Sequence, residues 1–190
     1  MMKKNLMTLA AILCCAMTMT LFTACGDDDD EGGKKPVVEA TSGVMECQLY
    51  SSDRTLDSFD FYVKYYDDEG NIKSEKVVWS EQNNSDGLRT WSKKVVQKLP
   101  STLGISLEIK AKDGIDLNGQ YWIDRGYDVT FTSRTASGDV IDLHPIVGHF
   151  ESSHNKAGML EDWLQESGRP LNVIYKYDIN GKTSGTGKLE

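Results

Sequence analysis

The chain is short of the residues that most readily give a function away. It has 4 cysteines in 190 residues, and two of them, Cys14 and Cys15, lie inside an N-terminal apolar run that Cys25 closes. Only Cys47 stands in the remainder, so no internal disulfide is available there. The cysteine pair that marks a true immunoglobulin domain is missing with it. Cys47 alternates with Met45 and Leu49 in a strand-like run, which reads as a small buried apolar residue rather than a reactive thiol. Positive charge is also scarce: 21 Lys and Arg against 29 Asp and Glu give a net charge of −8. A chain so charged has no basic footprint for nucleic acid. Beyond residue 24, no apolar stretch approaches membrane-spanning length.

Catalytic signatures are missing too. There is no Gly-x-Ser-x-Gly elbow. Gly181–Lys188 has the composition of a phosphate loop, but Lys182 breaks the required spacing and Leu189 stands where Ser or Thr is needed. A glycosidase needs two carboxylates across a cleft, and the spacing of the acids singles out no pair. The expectation is a protein that is not an enzyme.

What is present begins with an address. Lys3 and Lys4 precede an apolar run from Leu6 to Phe22, and Leu21-Phe22-Thr23-Ala24-Cys25 follows as a small-residue site. A basic start, an apolar middle and small residues at the end make a secretory signal. An uncleaved helix over Leu6–Ala24 would just span a bilayer, but Thr8, Thr18, Thr20 and Thr23 dilute it. The stretch resembles a bacterial lipoprotein signal, and the resemblance implies cleavage after Ala24 and lipidation of Cys25. Cleavage removes two lysines and no acid, leaving the rest still more negative than −8. Anionic headgroups would repel such a domain. Anchoring then rests on acyl chains, each buried methylene contributing ~0.8 kcal/mol. Gly26 is followed by Asp27–Asp30 and Glu31. An acidic run in that place looks like those of lipoproteins from the Bacteroidota, where it resembles a mark for export to the outer face of the outer membrane. The expected location is therefore the outer membrane, lipid-anchored and facing outward.

Residues 25–42 are mostly Gly, Asp, Glu, Lys and Pro, which cannot bury enough surface to fold. They read as a flexible acidic tether with a reach of roughly 23 Å. From Gly43 the pattern has period two. Strands are expected over Val44–Ser51, Phe59–Tyr65, Ile72–Trp79, Leu88–Leu99, Leu103–Ala111, Tyr121–Ile123, Tyr127–Ser133, Val140–Leu143 and Asn172–Ile179. Gly70 and Asn71 suit the turn of a hairpin, and Gly126 a bulge. Pro145–Ala157 reads as irregular, Gly158–Ser167 as the one helix, and residues 181–190 as a frayed polar tail. The domain at 43–180 is expected to be an all-β, two-sheet antiparallel sandwich of immunoglobulin-like type, with one short helix near its C-terminal end. A lipocalin-like barrel is the alternative.

Candidate sites are few. His144, His149 and His154 recur every five residues, with Glu151 between two of them. Imidazole and carboxylate are zinc ligands, but that period aligns on neither a helix nor a strand, so exposed loop side chains are the plainer expectation. Asp113, Asp116 and Asn118 place oxygens in one short loop, and Asp67, Asp68, Glu69 and Asn71 do so in another. Calcium would take such oxygens, yet neither loop has the spacing of an EF-hand, and turn chemistry accounts for both. No bound cofactor is expected. Aromatic rings can stack on sugars. Trp163 and Trp91 have core-facing parity, whereas Tyr62, Tyr66 and Trp122 fall opposite the apolar faces of their strands and are the better ligand contacts. The expected function is a non-catalytic binding domain for a glycan or protein ligand at the cell envelope. The alternatives are a structural subunit of an envelope assembly, joined through a sheet edge, and a small metal-dependent hydrolase built on the histidine loop.

Overall fold

The alternation that dominates the sequence becomes a set of half-buried strands. A computed structural model describes residues 39–189. The signal, Cys25 and most of the tether lie outside the described residues. Those described fall in one compact unit. They form β1 (Ala40–Ser51), α1 (Asp53–Leu56), β2 (Phe59–Tyr66), β3 (Ile72–Lys76), β4 (Arg89–Lys98), β5 (Ser101–Ala111), β6 (Trp122–Thr135), β7 (Val140–His154), α2 (Leu160–Ser167), β8 (Leu171–Tyr177) and β9 (Thr183–Gly187).

The strands make two antiparallel sheets, ordered β4-β1-β6-β7 and β3-β2-β5-β8-β9. We call them the β1 sheet and the β5 sheet. They pack face to face as a β-sandwich and do not close into a barrel, which sets the lipocalin-like alternative aside. Every second residue of β2 is buried: Phe59, Phe61, Val63 and Tyr65. From β5 come Leu103, Ile105, Leu107 and Ile109. The β1 sheet answers with Met45, Cys47, Leu49, Val95, Ile123, Val129 and Phe131. Each such side chain contributes on the order of 1.5–3 kcal/mol relative to exposure. Trp79 meets Phe61 edge to face at 5.1 Å, and Trp91 and Trp163 pack against the same core, as their parity implied.

The hairpin between β2 and β3 turns where expected. Gly70 takes φ +82°, open to glycine and strained for others. Asp67 Oδ1 accepts from the amides of Asn71 at 2.8 Å and Glu69 at 3.0 Å. At Gly126 the pairing of β6 with β7 slips between Arg125 and Tyr127, so the anticipated bulge is present within one continuous strand.

Three boundaries differ from the expectation. β1 begins at Ala40, inside the presumed tether, because Ala40 pairs with Thr135 and is buried. Residues 181–190 were expected to fray, yet β9 pairs with β8, and Leu189 beyond it is 4 % exposed. Pro145–Ala157 was expected to be irregular, yet β7 runs through most of it. Its alternation escapes notice because Asp142 and His144, both polar, hold the inward positions opposite Ser133 and Phe131. A one-turn helix, α1, was also unforeseen. Ser52 caps it by accepting from Thr55 N.

α2 starts at Leu160 rather than Gly158. Leu160 is buried, and Trp163 and Leu164 face the core, whereas Met159 is exposed. Gly168 ends the helix, and its carbonyl accepts from Ile109 N at 2.8 Å, fixing α2 to β5.

Candidate functional site

On the outer face of the β5 sheet, strand register aligns polar side chains into rows. Lys64 pairs with Ser74 on one side and Ser106 on the other, and Ser106 pairs with Asn172. In the next row Tyr62 lies between Lys76 and Glu108. The first row, with Tyr62 and Glu108 of the second, lines a cavity of about 210 Å³ that also receives Arg169 and Leu189. A second cavity, about 410 Å³, lies between β5 and α2 and shares Glu108 and Arg169 with the first. The two adjoin at these residues as one trough.

Glu108 anchors the trough. Arg169 reaches its Oε1 with Nη2 at 2.6 Å and Nε at 3.1 Å, and Lys110 Nζ sits 3.1 Å from Oε2. Partial burial pushes the Glu108 carboxyl up, but hydrogen bonds from Arg169 and Lys110 outweigh it and hold the group below the usual range. Lys110 also stands 5.0 Å from the centre of the Tyr62 ring. One wall is the segment after β9. Leu189 N donates to Asn172 Oδ1 at 2.6 Å, and Asn172 Nδ2 donates to Leu189 O at 3.1 Å. The side-chain amide of Asn172 thus pairs with a backbone as another strand would.

Tyr66 lies on the same face two rows along, opposite Ile72. Gly104, also in β5, leaves room there: a Cβ would come 2.8 Å from Ile174 Cγ1 and 2.9 Å from Val173 O. Trp122 belongs to the other sheet, so the three aromatic candidates do not form one site. It is 47 % exposed, but Arg54 covers its ring at 4.5 Å and the His154 ring approaches to 5.0 Å. Arg54 is held in turn by Asp124, with Nε–Oδ2 at 2.5 Å and Nη2–Oδ1 at 2.7 Å. That clamp ties α1 to β6.

The histidines do not converge. His144 Nε2 lies 2.6 Å from Thr183 Oγ1 and 3.2 Å from Asp142 Oδ1, and its ring stacks on Tyr175 at 4.6 Å. Thr183 donates to Asp142 Oδ2 from both N, at 3.0 Å, and Oγ1, at 2.9 Å. This Asp–His–Thr group is not a nucleophilic relay. One ring nitrogen faces both partners, and the hydroxyl proton already points to the carboxylate. The contacts join the rims of the two sheets.

His149 is exposed, Glu151 sits 3.4 Å from Arg125, and His154 is beside Trp122. Among the described residues, no group of three or more His, Cys, Asp or Glu side chains could hold a metal ion. This applies equally to the acidic loops. Asp116 Oδ1 accepts from Asn118 N at 3.0 Å and so shapes its own turn, and Asn118 O accepts from Gly158 N at 3.0 Å, which ties the loop to the segment before α2. Asp113 lies near Lys76. Cys47 is buried, and burial together with the charge of Asp128 pushes its thiol up to about 12, which removes it as a nucleophile.

Sequence reasoning missed Glu108, Arg169, Ser106 and Asn172. The signal for two of them was present: Ser106 and Glu108 are the polar positions of the cleanest alternating strand. Comparison with protein families, with characterised proteins and with solved structures gave no match.

Proposed function

We propose that the protein is a membrane-anchored lipoprotein that displays a non-catalytic binding sandwich at the cell envelope, with a glycan as its ligand. The trough on the outer face of the β5 sheet carries this reading. It combines an aromatic ring (Tyr62), a carboxylate (Glu108), a guanidinium (Arg169), an amide (Asn172) and hydroxyls (Ser74, Ser106) in one depression. Sugars present vicinal hydroxyls and one apolar ring face, and these are the groups that meet them. The anchor would be Cys25, with the acidic run as spacer. A glycan array probed with the purified protein tests the site. Tyr62→Ala is expected to weaken any sugar interaction about tenfold or more. A sugar interaction untouched by Tyr62→Ala, or lost with Trp122→Ala instead, would move the site elsewhere. Acyl labelling that persists in Cys25→Ser would refute the anchor.

A second reading has its own support. Leu143, Val147 and Phe150 are 47 %, 57 % and 46 % exposed on β7, an edge strand of the β1 sheet. Apolar side chains in a row on an edge strand suit a subunit of an envelope assembly. A photo-crosslinking residue at position 147 would then capture one defined envelope protein, and diffuse or absent crosslinks would count against it.

A further inference from the structure

We infer that the β5-sheet trough selects an uncharged glycan, one bearing no carboxylate, sulfate or free amine; this rests on the reading of the trough as a glycan site. The charges of this face cancel. Glu108 stands against Arg169 at 2.6 Å and Lys110 at 3.1 Å. Lys76 stands against Asp60 at 2.6 Å, and the charge of Asp113 acts on it as well. Arg169, Lys110 and Lys76 are thus matched by Glu108, Asp60 and Asp113. Lys64 also lines the trough and has an interaction of its own. Lys176 lies on the same face, across from Thr102, but lines neither cavity. Between the charges the lining is neutral: Ser74 and Ser106 bring hydroxyls to the first cavity, and Gln165 an amide to the second.

A charged ligand gains little from such a surface. An anion drawn to Arg169 meets the Glu108 carboxylate that Arg169 already holds, and a cation drawn to Glu108 meets Arg169 and Lys110. Either would have to displace a charge-assisted pair, which is stronger than a hydrogen bond between neutral groups. A sugar hydroxyl both donates and accepts, so it can add to Glu108 and to Arg169 without opposing either charge. A polyanion is further held off by the net charge of −8 on the whole chain. Selectivity of this kind comes from what the site repels as much as from what it attracts.

The test puts the purified protein on an array of neutral, acidic and amino glycans. Calorimetry follows on matched pairs: dextran against dextran sulfate, methyl-esterified against free polygalacturonate, and chitin against chitosan oligosaccharides. The expectation is retention by neutral glycans, with a neutral form bound at least about tenfold more tightly than its charged counterpart. That affinity should change less than about twofold between roughly 50 and 500 mM NaCl, because no net charge is there to be screened. Glu108→Gln leaves Arg169 and Lys110 unmatched. It should raise binding of dextran sulfate about fivefold or more, in a salt-sensitive way, and Lys94→Gln on the other sheet should not. Circular dichroism checks that both variants fold. Acidic or amino glycans bound as tightly as neutral ones, and lost with Tyr62→Ala, would overturn the neutral preference and leave the glycan site standing. A folded Glu108→Gln protein that gains no dextran sulfate binding would overturn charge balance as the basis of selection. No binding to any glycan would overturn the inference and also remove support for the glycan reading.

Discussion

Replacing Asp124 with asparagine isolates one half-buried ion pair and gives it a measurable signature. The carboxylate is 2 % exposed and accepts from Arg54 Nε, Arg54 Nη2 and Ser52 Oγ at 2.5, 2.7 and 2.5 Å. Burial pushes the carboxyl up, but hydrogen bonds from Arg54, Ser152 and Ser52 outweigh it and hold the group at about 2, against an ordinary 3.8. A depression of nearly two units corresponds to about 2.5 kcal/mol of stability. The folded value is the lower one, so this stability is fully present above pH ~4 and is lost as pH falls through ~2. Arg54 is half exposed and keeps its water when the carboxylate goes. The cost of Asp124→Asn should therefore sit below the 3–5 kcal/mol of breaking a fully buried pair, at ~2–3 kcal/mol near neutrality. For a domain of this size that lowers Tm by roughly 5–10 °C. Thermal and urea unfolding followed by circular dichroism, from pH 7 to pH 2, would read it. The gap between wild type and variant should close between pH ~4 and ~2. Equal stabilities at pH 7, or a gap constant across the whole range, would refute the assignment of Asp124 as an ionised clasp.

Other substitutions test the packing. Tyr177 carries a buried hydroxyl with no hydrogen-bond partner among the described residues, and burial pushes its acidity down. Tyr177→Phe should be neutral or stabilising by up to ~1–2 kcal/mol, and a clear loss in urea midpoint would show that the hydroxyl has a partner. Gly104→Val should cost ~1–3 kcal/mol, because the backbone carbonyl of Val173 lies in the path of the new side chain and cannot move aside; an unchanged midpoint would contradict the close approach. Cys47 should resist iodoacetamide at pH 8 in the native protein and react in urea, as peptide mapping would show. Rapid native labelling of that residue would disprove its burial.

Parity made much of the sandwich legible. β2 and β5 are read directly, because a face of Phe, Val, Leu and Ile meets the core and the alternate face meets water. The same reasoning turned Tyr62 and Tyr66 outward. It failed on β7, where Asp142 and His144 point inward and are satisfied by Thr183, a residue 39 and more positions away in another sheet. Nothing local announces such a partner. It failed for β9 because Gly185 and Gly187 have no side chain to show a pattern. The trough was half legible for the same reason. Glu108 and Arg169 are 61 residues apart and become neighbours only through the pairing of β5 with β8. The histidines were expected as exposed side chains of a loop, whereas all three stand on β7 and His144 is half-buried. The strand that carries them simply points them to different neighbours.

The placement of β1 constrains how the chain can be made. β1 is flanked by β4 and β6, so Leu49 needs both Trp91 and Tyr127, and Ser42 needs both Lys98 and Arg134. The first strand to leave a ribosome therefore waits for the sixth. Until residue 135 has emerged, the apolar face and one hydrogen-bonding edge of β1 stay open, and closing pairings of such long range is slow. A nascent chain released early is a sticky fragment rather than a smaller domain. Synthesis of this protein thus passes through a long interval in which β1 is unpaired on the side that β6 will cover.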